Sequence, residues 1–361
     1  MGRYAYWLSN VKGLTAHKIL KLLKACGTAE EIYGMSENLL AKVEDLQEKD
    51  RESILKGRKN WDLDKEWGRL QEKGIGFVSM EDESYPKKLR YLMNAPYSLY
   101  YIGSLPSEDT KKVAIVGART RSAYGSQIAE QLSEALTKNG VDVVSGMAMG
   151  IDADGHKGAL RGGGRTYAVL GCGVDICYPR TNWSLYEKIP CHGGIISEYS
   201  PGTPPVAALF PQRNRIISGL SDYVVIVEAR EKSGSLITAD FAMEQGKEVY
   251  AVPGRITDDL SRGCNQLIQQ GAGVITSVED FLKEIQLDTS NLAVQIDFRK
   301  NLLEKDELLV YALLDFYPTG LGTMVEKTPY GLSELLDILE RLEHKGFVKE
   351  TIPNYYIKNV Y

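Results

Sequence analysis

A short apolar run and a glycine turn make up VAIVGARTRSAYG, residues 113–125. A dinucleotide-binding unit begins in this way, but the turn holds one glycine, Gly117, where the dinucleotide fingerprint has three at fixed spacing. Arg119 and Arg121 follow it. A guanidinium binds phosphate through its side chain, whereas a pyrophosphate in a glycine turn needs bare backbone. The stretch therefore predicts a strand end that holds a different kind of phosphate.

Six more apolar runs follow, and their β-branched residues are continuous rather than alternating, which is typical of strands buried on both faces. They are VDVVSG, TYAVLG, GGIISE, DYVVIVEA, KEVYAVPG and GVITS, between residues 141 and 277. Helix-forming segments separate most of them, so parallel strands are expected. The predicted fold class is α/β, with a Rossmann-like, doubly wound, mostly parallel sheet as the core.

A helical domain is predicted for residues 1–70. LTAHKILKLLKACGTAEEIY has the helix, glycine turn and helix of a SAM or helix-hairpin-helix module, with Thr15 as N-cap and Gly27 as the stop. Such modules hold DNA phosphates with backbone amides, but a packing domain without DNA contact is an equally good interpretation.

The other two domains are assigned to residues 71–290 and 300–361. The first is the Rossmann-like domain, and its extension, residues 71–110, is interrupted by prolines and fits two edge strands. The second predicts two helices followed by a strand pair, which is the order of a winged-helix domain.

Composition is that of an ordinary globular protein. The 361 residues are 43% apolar and 25% charged, with a net charge of −5, so no overall positive charge indicates nucleic acid. No apolar run approaches the roughly 18 to 20 residues of a membrane span, and the N-terminus lacks the pattern of a signal peptide. A cytoplasmic protein with no membrane partner is expected.

The five cysteines predict reduced thiols, because their number is odd and no CxxC pair occurs. No zinc site is indicated, because its spacing does not match that of Cys172, Cys177, Cys191 and His192. Neither a metal nor a cofactor is expected.

The segments after the strands are rich in glycines, hydroxyls and arginines, and ligands of an open α/β sheet bind there. Examples are GARTRSAYG, SGMAMGIDADGH, GCGVDICYPRTNW, FPQRNRIISG and EAREKSGSLITAD. Residues 111–276 hold 17 Lys and Arg against 16 Asp and Glu, so the domain is nearly neutral. Arginines gathered in these loops predict a local positive stripe, which suits a chain of phosphates.

Two of these arginines have an alternative role. Arg213 and Arg215 fit internal struts paired with Glu198 and Asp152 at least as well as phosphate contacts, whereas Arg119 and Arg180 favour phosphate.

Catalysis has little support in the sequence. His156 near Asp152, Asp154 and Ser145 has the residue types of acid–base or nucleophilic chemistry. No G-x-S-x-G elbow is present, and a histidine at a helix start also suits loop bracing. Glu198 has no partner carboxylate. No enzymatic activity is predicted.

Several segments closely resemble the DNA-processing protein A (DprA/Smf) family: VAIVGARTRSAYG, VVSGMAMGIDADGHKGAL, GGRTYAVLGCGVDICYPRTN, GGIISEYSPGTPP, FPQRNRIISGLSDYVVIVEAREKSGSLITADFAMEQGKEVYAVPG and GCNQLIQQGA. The resemblance covers the whole α/β domain. It implies a protein without catalytic activity that binds single-stranded DNA. It also implies a role in natural transformation, in which the protein protects incoming strands and loads a RecA-type recombinase onto them.

The resemblance implies positions for the site. Arg119 matches a phosphate-binding arginine and Arg180 a second basic position. The expected DNA-binding residues are Gly117, Arg119, Ser122, Ser145, Gly146, Gly173, Arg180, Trp183, Arg213, Asn214, Ser233, Gly234 and Ser235. A homodimer is implied as well, with Asn265, Ile268 and Val274 in its interface. Met149 departs from the family, which usually has Arg or Lys there.

Aromatic residues accompany the second basic position. Tyr178 and Trp183 flank Arg180, and single-strand binders stack bases on exposed aromatic rings beside phosphate contacts. Rings packed beneath the loop are the alternative.

Two other functions stay open. One is a nucleotide hydrolase or carrier of the lysine-decarboxylase-like group, which has a PGGxGT loop where this chain has SGSLITADFAME. The other is a scaffold that binds free nucleotides and partner proteins.

The C-terminal region is acidic, with 8 Lys and Arg against 11 Asp and Glu over residues 296–361. Its expected recognition helix, LSELLDILERLEHKGF, is acidic too and would be repelled by duplex phosphates. The helix carries an apolar stripe of Leu332, Leu335, Leu336, Leu339 and Leu342. The module is expected to contact protein or the rest of the chain, and not DNA.

Overall fold

The computed structural model describes residues 2–43, 46–287, 303–315 and 317–359. The chain begins with helices α1 (Gly2–Ser9), α2 (Ala16–Cys26), α3 (Ala29–Gly34), α4 (Glu37–Leu40), α5 (Glu48–Asn60) and α6 (Leu63–Glu72). The predicted cap residues are confirmed. The Thr15 hydroxyl accepts a hydrogen bond from the Lys18 amide, and Gly27 ends α2 at φ 89°, a conformation that favours glycine.

The central sheet has nine strands within the described residues. They are β1 (Gly76–Ser79), β2 (Ser98–Gly103), β3 (Lys112–Val116), β4 (Asp142–Ser145), β5 (Thr166–Val169), β6 (Gly193–Ser197), β7 (Tyr223–Ile226), β8 (Glu248–Ala251) and β9 (Gly273–Val274). Their order is β1-β2-β6-β5-β4-β3-β7-β8-β9. Strands β3 to β9 run parallel, and β2 runs antiparallel to both its neighbours.

The seven predicted parallel strands are therefore confirmed, but one detail of the extension is wrong. Strand β2 was expected at an edge, and it lies between β1 and β6. Pro96 comes before β2 rather than within it, so the proline removes no hydrogen-bond donor from either side of the strand.

Helices cover both faces of the sheet. They are α7 (Lys87–Arg90), α8 (Ala123–Lys138), α9 (Ile151–Arg161), α10 (Trp183–Lys188), α11 (Leu209–Leu220), α12 (Gly234–Glu244), α13 (Asp259–Gln269) and α14 (Val278–Glu284). Within β3, Ala114 and Val116 pack towards α11, α12 and α13, while Val113 and Ile115 pack towards α8, α9 and α14. A truncation such as Ile115→Ala is expected to cost about 2–5 kcal/mol.

An aromatic cluster joins the N-terminal helices to the sheet. Tyr6 makes edge-to-face contacts with Trp61 and Trp67 of its own region and with Phe77 and Tyr100 of β1 and β2, at ring-centre distances of 5.4–6.0 Å. Such pairs contribute about 0.5–1.5 kcal/mol each beyond the area they bury. The N-terminal helices are thus held against the antiparallel end of the sheet.

The C-terminal region has the winged-helix fold that the sequence predicts. It comprises α15 (Lys305–Leu313), α16 (Leu321–Lys327), α17 (Leu332–His344) and strands β10 (Thr319–Gly320), β11 (Val348–Ile352) and β12 (Tyr355–Lys358), which form a separate antiparallel sheet. Helix α16 is not among the predicted elements. The predicted stripe on α17 was expected to be core or a partner face. Leu335, Leu339 and Leu342 are buried in the core of this region, and Leu332 and Leu336 are exposed.

The domain boundaries at residues 70/71 and 290/300 stay predictions, and the second lies outside the described residues. None of the described helices has both the length and the apolar character needed to cross a membrane.

Candidate nucleic-acid interface

A cleft of about 370 Å³ opens at the carboxyl ends of the central strands. Strands β4, β3 and β7 are neighbours and run parallel, so the loops after them meet at one edge of the sheet. The start of α11 completes the lining, which includes seven of the predicted residues: Gly117, Arg119, Arg213, Asn214, Ser233, Gly234 and Ser235.

Three exposed cations line this cleft. Arg119 follows β3, and its guanidinium carbon lies 5.8 Å from the centre of the Phe210 ring. Arg230 and Lys232 follow β7. All three are exposed, and none of them forms an ion pair in the described part of the chain. Cations that no carboxylate neutralises are suited to a ligand with negative charge.

Sequence reasoning did not single out Arg230 and Lys232, although the signal was available. Both stand in AREKSG, directly after a predicted strand, at the same edge of the sheet as Arg119. Phe210 was missed as well, because nothing in a lone aromatic at a helix start shows that its ring faces an arginine.

The N-terminus of α12 lies at the cleft. Ser233 caps the helix, with its hydroxyl 2.7 Å from the Ser235 hydroxyl and accepting from the Ser235 amide. Gly234 is exposed, and its carbonyl accepts from the side-chain Nδ2 of Asn214 at 3.2 Å. Ser233, Gly234 and Ser235, at the start of this 11-residue helix, line the same cleft as the three cations.

Arg213 acts as an internal strut, which is the alternative that the sequence left open. Its side chain is only 5% exposed, and its guanidinium donates to the carbonyl oxygens of Gly146, at 2.7 Å, and Val169. A Cβ on Gly146 would lie 2.6 Å from that guanidinium, so glycine is required there. A phosphate contact at Arg213 stays a prediction, but these bonds already fix its side chain.

Asp152 balances this buried guanidinium. It accepts from the amides of Gly146 and Ala148 at 3.2 and 3.4 Å. Burial raises the pKa of Asp152, and the charge of Arg213 and these amide hydrogen bonds act in the opposite direction. Together the two side chains tie the loop after β4 to the last residue of β5 beneath the cleft.

A protein carboxylate occupies the N-terminus of α8, where a dinucleotide-binding fold would hold pyrophosphate. Glu228 accepts from the Ser122 amide at 3.0 Å and from the Ser122 hydroxyl. It also fills the space over Gly125, where a Cβ would meet its carboxylate at 2.3 Å. Ser122, a predicted DNA-binding residue, therefore has both its donors directed at Glu228.

Three other predicted residues support the loops from within. Ser145 is fully buried, and its hydroxyl donates to the Ile115 carbonyl at 2.6 Å. A Cβ on Gly117 would lie 2.7 Å from Ile151, and one on Gly173 would lie 2.9 Å from the Gly202 amide. The Ser145 side chain and the two glycines thus determine how the loops pack at this edge of the sheet.

A second basic centre follows β5. Arg180 is exposed and lines a shallow cleft of about 560 Å³ together with Trp183, whose side chain is 53% exposed. Tyr178, 42% exposed, stacks on Phe210 of the main cleft at 5.5 Å between ring centres. Aromatic rings therefore run from Arg119 towards Arg180.

His156 and Glu198 are structural, as the sequence favours. His156 is fully buried with its Nδ1 atom 2.7 Å from the Thr166 hydroxyl, and burial lowers its pKa to about 3. Glu198 receives two hydrogen bonds from Arg215, at 2.9 and 2.6 Å. No group of metal-ligating side chains occurs among the described residues.

The three predicted dimer residues differ in exposure. Asn265 turns inward, exchanging two hydrogen bonds with the Gly254 backbone. Ile268 is partly buried against the core, while Val274 is 39% exposed on β9, the edge strand of the sheet. Dimerisation stays a prediction.

The chain was compared with known protein families and solved structures. The sequence model described as DNA recombination-mediator protein A matches residues 76–286, the whole of the central sheet. The chain belongs to this family.

The DNA processing protein DprA of Streptococcus pneumoniae is 38% identical over 283 residues, which cover 78% of this chain and 98% of that protein. An X-ray structure of that protein aligns with a TM-score of 0.69 and 36% identity, covering 80% of this chain and 99% of the other. A structure of the Helicobacter pylori DNA processing protein A aligns with a TM-score of 0.54 and 33% identity, covering 58% of this chain and 95% of the other. That structure is described as giving insight into the single-stranded DNA binding mode of the Helicobacter pylori protein. These matches confirm the predicted family and α/β fold class.

Proposed function

We propose that this DprA-family chain binds single-stranded DNA along the carboxyl edge of its sheet. The observation that carries the proposal is the set of exposed cations without ion pairs, Arg119, Arg230 and Lys232, beside aromatic rings. A sugar–phosphate backbone needs cations along a path, and unpaired bases need ring faces. The description of the Helicobacter pylori relative supports the same ligand.

The same edge argues against a dinucleotide. The Glu228 carboxylate accepts from both donors of Ser122 at the start of α8, so a pyrophosphate there would face a negative charge. The cations lie on the other side of the turn, in the main cleft. Arginine guanidinium groups can each donate two hydrogen bonds to a phosphate, which suits a DNA strand whose backbone passes across the surface.

In the cell, the chain protects incoming single strands and loads a RecA-type recombinase onto them during natural transformation. The family description, recombination mediator, and the names of the relatives support this role. The role requires no catalysis by the chain itself, and it places the protein in the cytoplasm. DNA binding is assigned to the Rossmann-like domain, residues 71–290.

A homodimer is part of the proposal. Among the residues that the structure describes, the edge strand β9 is paired on one side only, and Val274 on it is exposed. Pairing across a two-fold axis would cover both.

The function is tested by comparing one oligothymidylate with the same length of mixed-sequence duplex at two salt concentrations. We expect the single strand to bind more tightly, with an affinity that rises with strand length. A site for free nucleotides would show no length dependence, and a duplex reader would reverse the order; either result contradicts the proposal.

A further inference from the structure

The row of cations continues beyond the main cleft. Arg255 is exposed in the loop after β8, the strand beside β7. It stands four residues after the end of its strand, as Arg230 does after β7, and Arg119 stands three residues after β3. Because the three strands are parallel neighbours, the three arginines occupy equivalent places along one edge. No ion pair joins Arg255 to a carboxylate in the described part of the chain.

The C-terminal domain covers this arginine. The guanidinium carbon of Arg255 lies 3.5 Å from the centre of the Tyr317 ring, which is a close cation–π contact. The Tyr317 hydroxyl donates to Asp258 Oδ2 at 3.0 Å, so the ring is fixed from the core side as well. One face of the guanidinium is therefore taken by a residue from a different domain.

The surroundings of the contact are acidic. Asp315 lines the same cleft, of about 430 Å³, together with Tyr124, Gly254 and Tyr317. Residues 303–361 hold 6 Lys and Arg against 10 Asp and Glu, a net charge of −4. A phosphate approaching Arg255 would meet these negative charges while the domain is in place.

We propose that Arg255 is a further phosphate site for single-stranded DNA, and that the C-terminal domain covers it through Tyr317 and Asp315. The inference rests on the proposed function, since Arg255 extends the path that begins at Arg119. The stacked ring closes one side of the guanidinium to an approaching strand, and the charge of Asp315 in the same cleft opposes a phosphate at the N–H edges that remain. The domain thus limits how much of the basic edge is open to DNA without contacting DNA itself.

The test uses the full chain with Tyr317→Ala, Arg255→Ala and the double variant, titrated with an oligothymidylate of about 20 nucleotides. Tyr317→Ala uncovers Arg255, so we expect tighter binding, by up to about eightfold at 50 mM salt, and a slope of log affinity against log salt steeper by about 0.7. Arg255→Ala alone is expected to change the affinity for the oligothymidylate little, because the residue is already covered in the unmodified chain. The double variant loses the gain.

Tyr317→Leu is a second variant, which keeps an apolar side chain in the cleft that Tyr124 also lines but offers no ring face. We expect the same gain in affinity. Unchanged affinity in both Tyr317 variants, or a gain that survives Arg255→Ala, would overturn the inference. Arg119→Ala in the same titration reports on the proposed function separately. If that variant binds normally, the proposed function fails, whatever Tyr317 does.

Discussion

Glu228 shows how one residue changes what a common turn can bind. Its carboxylate follows the end of β7 and accepts from the backbone amide of Ser122, the N-cap residue of α8, so a negative charge of the protein itself lies at the positive end of the helix dipole. Burial raises the pKa of Glu228, and the Ser122 hydrogen bonds oppose that shift. The residue explains why a strand, a glycine turn and a helix are present here without a dinucleotide site.

At the residue scale, His156 gives a pH prediction. Its pKa is about 3 in the folded chain and about 6.5 when unfolded, so the unfolded chain binds the proton first. The free energy of unfolding therefore has its full histidine contribution above pH 6.5 and decreases as the pH falls. At pH 5 the decrease amounts to about 2 kcal/mol. Denaturant unfolding at pH 7.5 and pH 5 measures it.

The control for this prediction is His156→Gln, which has no proton to gain. Between the two pH values, the free energy of unfolding of the variant is expected to fall by about 2 kcal/mol less than that of the unmodified chain. An equal loss in both proteins would show that the buried histidine does not titrate as its surroundings require.

At the scale of elements, the strands were predictable and the orientation of the loops was not. Continuous β-branched runs are a local signal, and all seven parallel strands lie where the sequence predicts them. Whether Ser145 or Arg230 faces the surface depends on how neighbouring loops pack, which no local pattern carries. The same reason applies to α17, where Leu336 has helical spacing but is exposed in the described part of the chain.

The positions of some candidate site residues at the surface could be predicted from the sequence, while their contacts with DNA stay predictions. Arg119 and Arg180 are exposed, and Ser233 and Ser235 at the start of α12 line a cleft, as expected for contacts. Ser122, Ser145 and Arg213 are engaged inside the protein. Glycines and hydroxyls at strand ends serve both roles, and only the tertiary structure separates them.

The element carrying Arg180 allows a stacking prediction. Trp183 begins α10, is half-exposed and packs on Tyr186 at 5.6 Å, so one face of its ring is already taken. We expect Trp183→Ala to weaken single-strand binding by about 1–3 kcal/mol, measured by fluorescence titration of a labelled oligonucleotide. Trp183→Phe keeps a ring and should recover most of the loss. Full affinity in a folded Trp183→Ala protein would rule out stacking there.

For the whole molecule, the first prediction concerns the dimer. Lysine on an edge strand opposes pairing with another chain, so Val274→Lys is expected to give a monomer with an unchanged melting temperature. Sedimentation velocity measures the change, and binding to long single strands should weaken with it. A monomer in the unmodified protein would remove the basis for the dimer.

The second whole-molecule prediction concerns the C-terminal domain, which has its own apolar core. A chain that ends near residue 290 is expected to bind single strands at least as well as the full chain, because the acidic domain contributes no phosphate contact. Gel shifts of the two proteins compare them directly. A large loss of affinity in the shorter chain, with its dimer intact, would show that the domain does touch DNA.

The central claim is that Arg119 and Arg180 each neutralise a phosphate of single-stranded DNA, and the salt dependence of binding tests it most directly. The measurement is the affinity of the Arg119→Ala/Arg180→Ala protein for an oligothymidylate over a salt series. The matched control is Arg165→Ala, an exposed arginine directly before β5, at the opposite edge of the sheet. We predict that the slope of log affinity against log salt flattens by about 1.4 in the double variant, roughly 0.7 for each lost contact, and is unchanged in the control. Unchanged affinity and slope in the double variant would contradict the account.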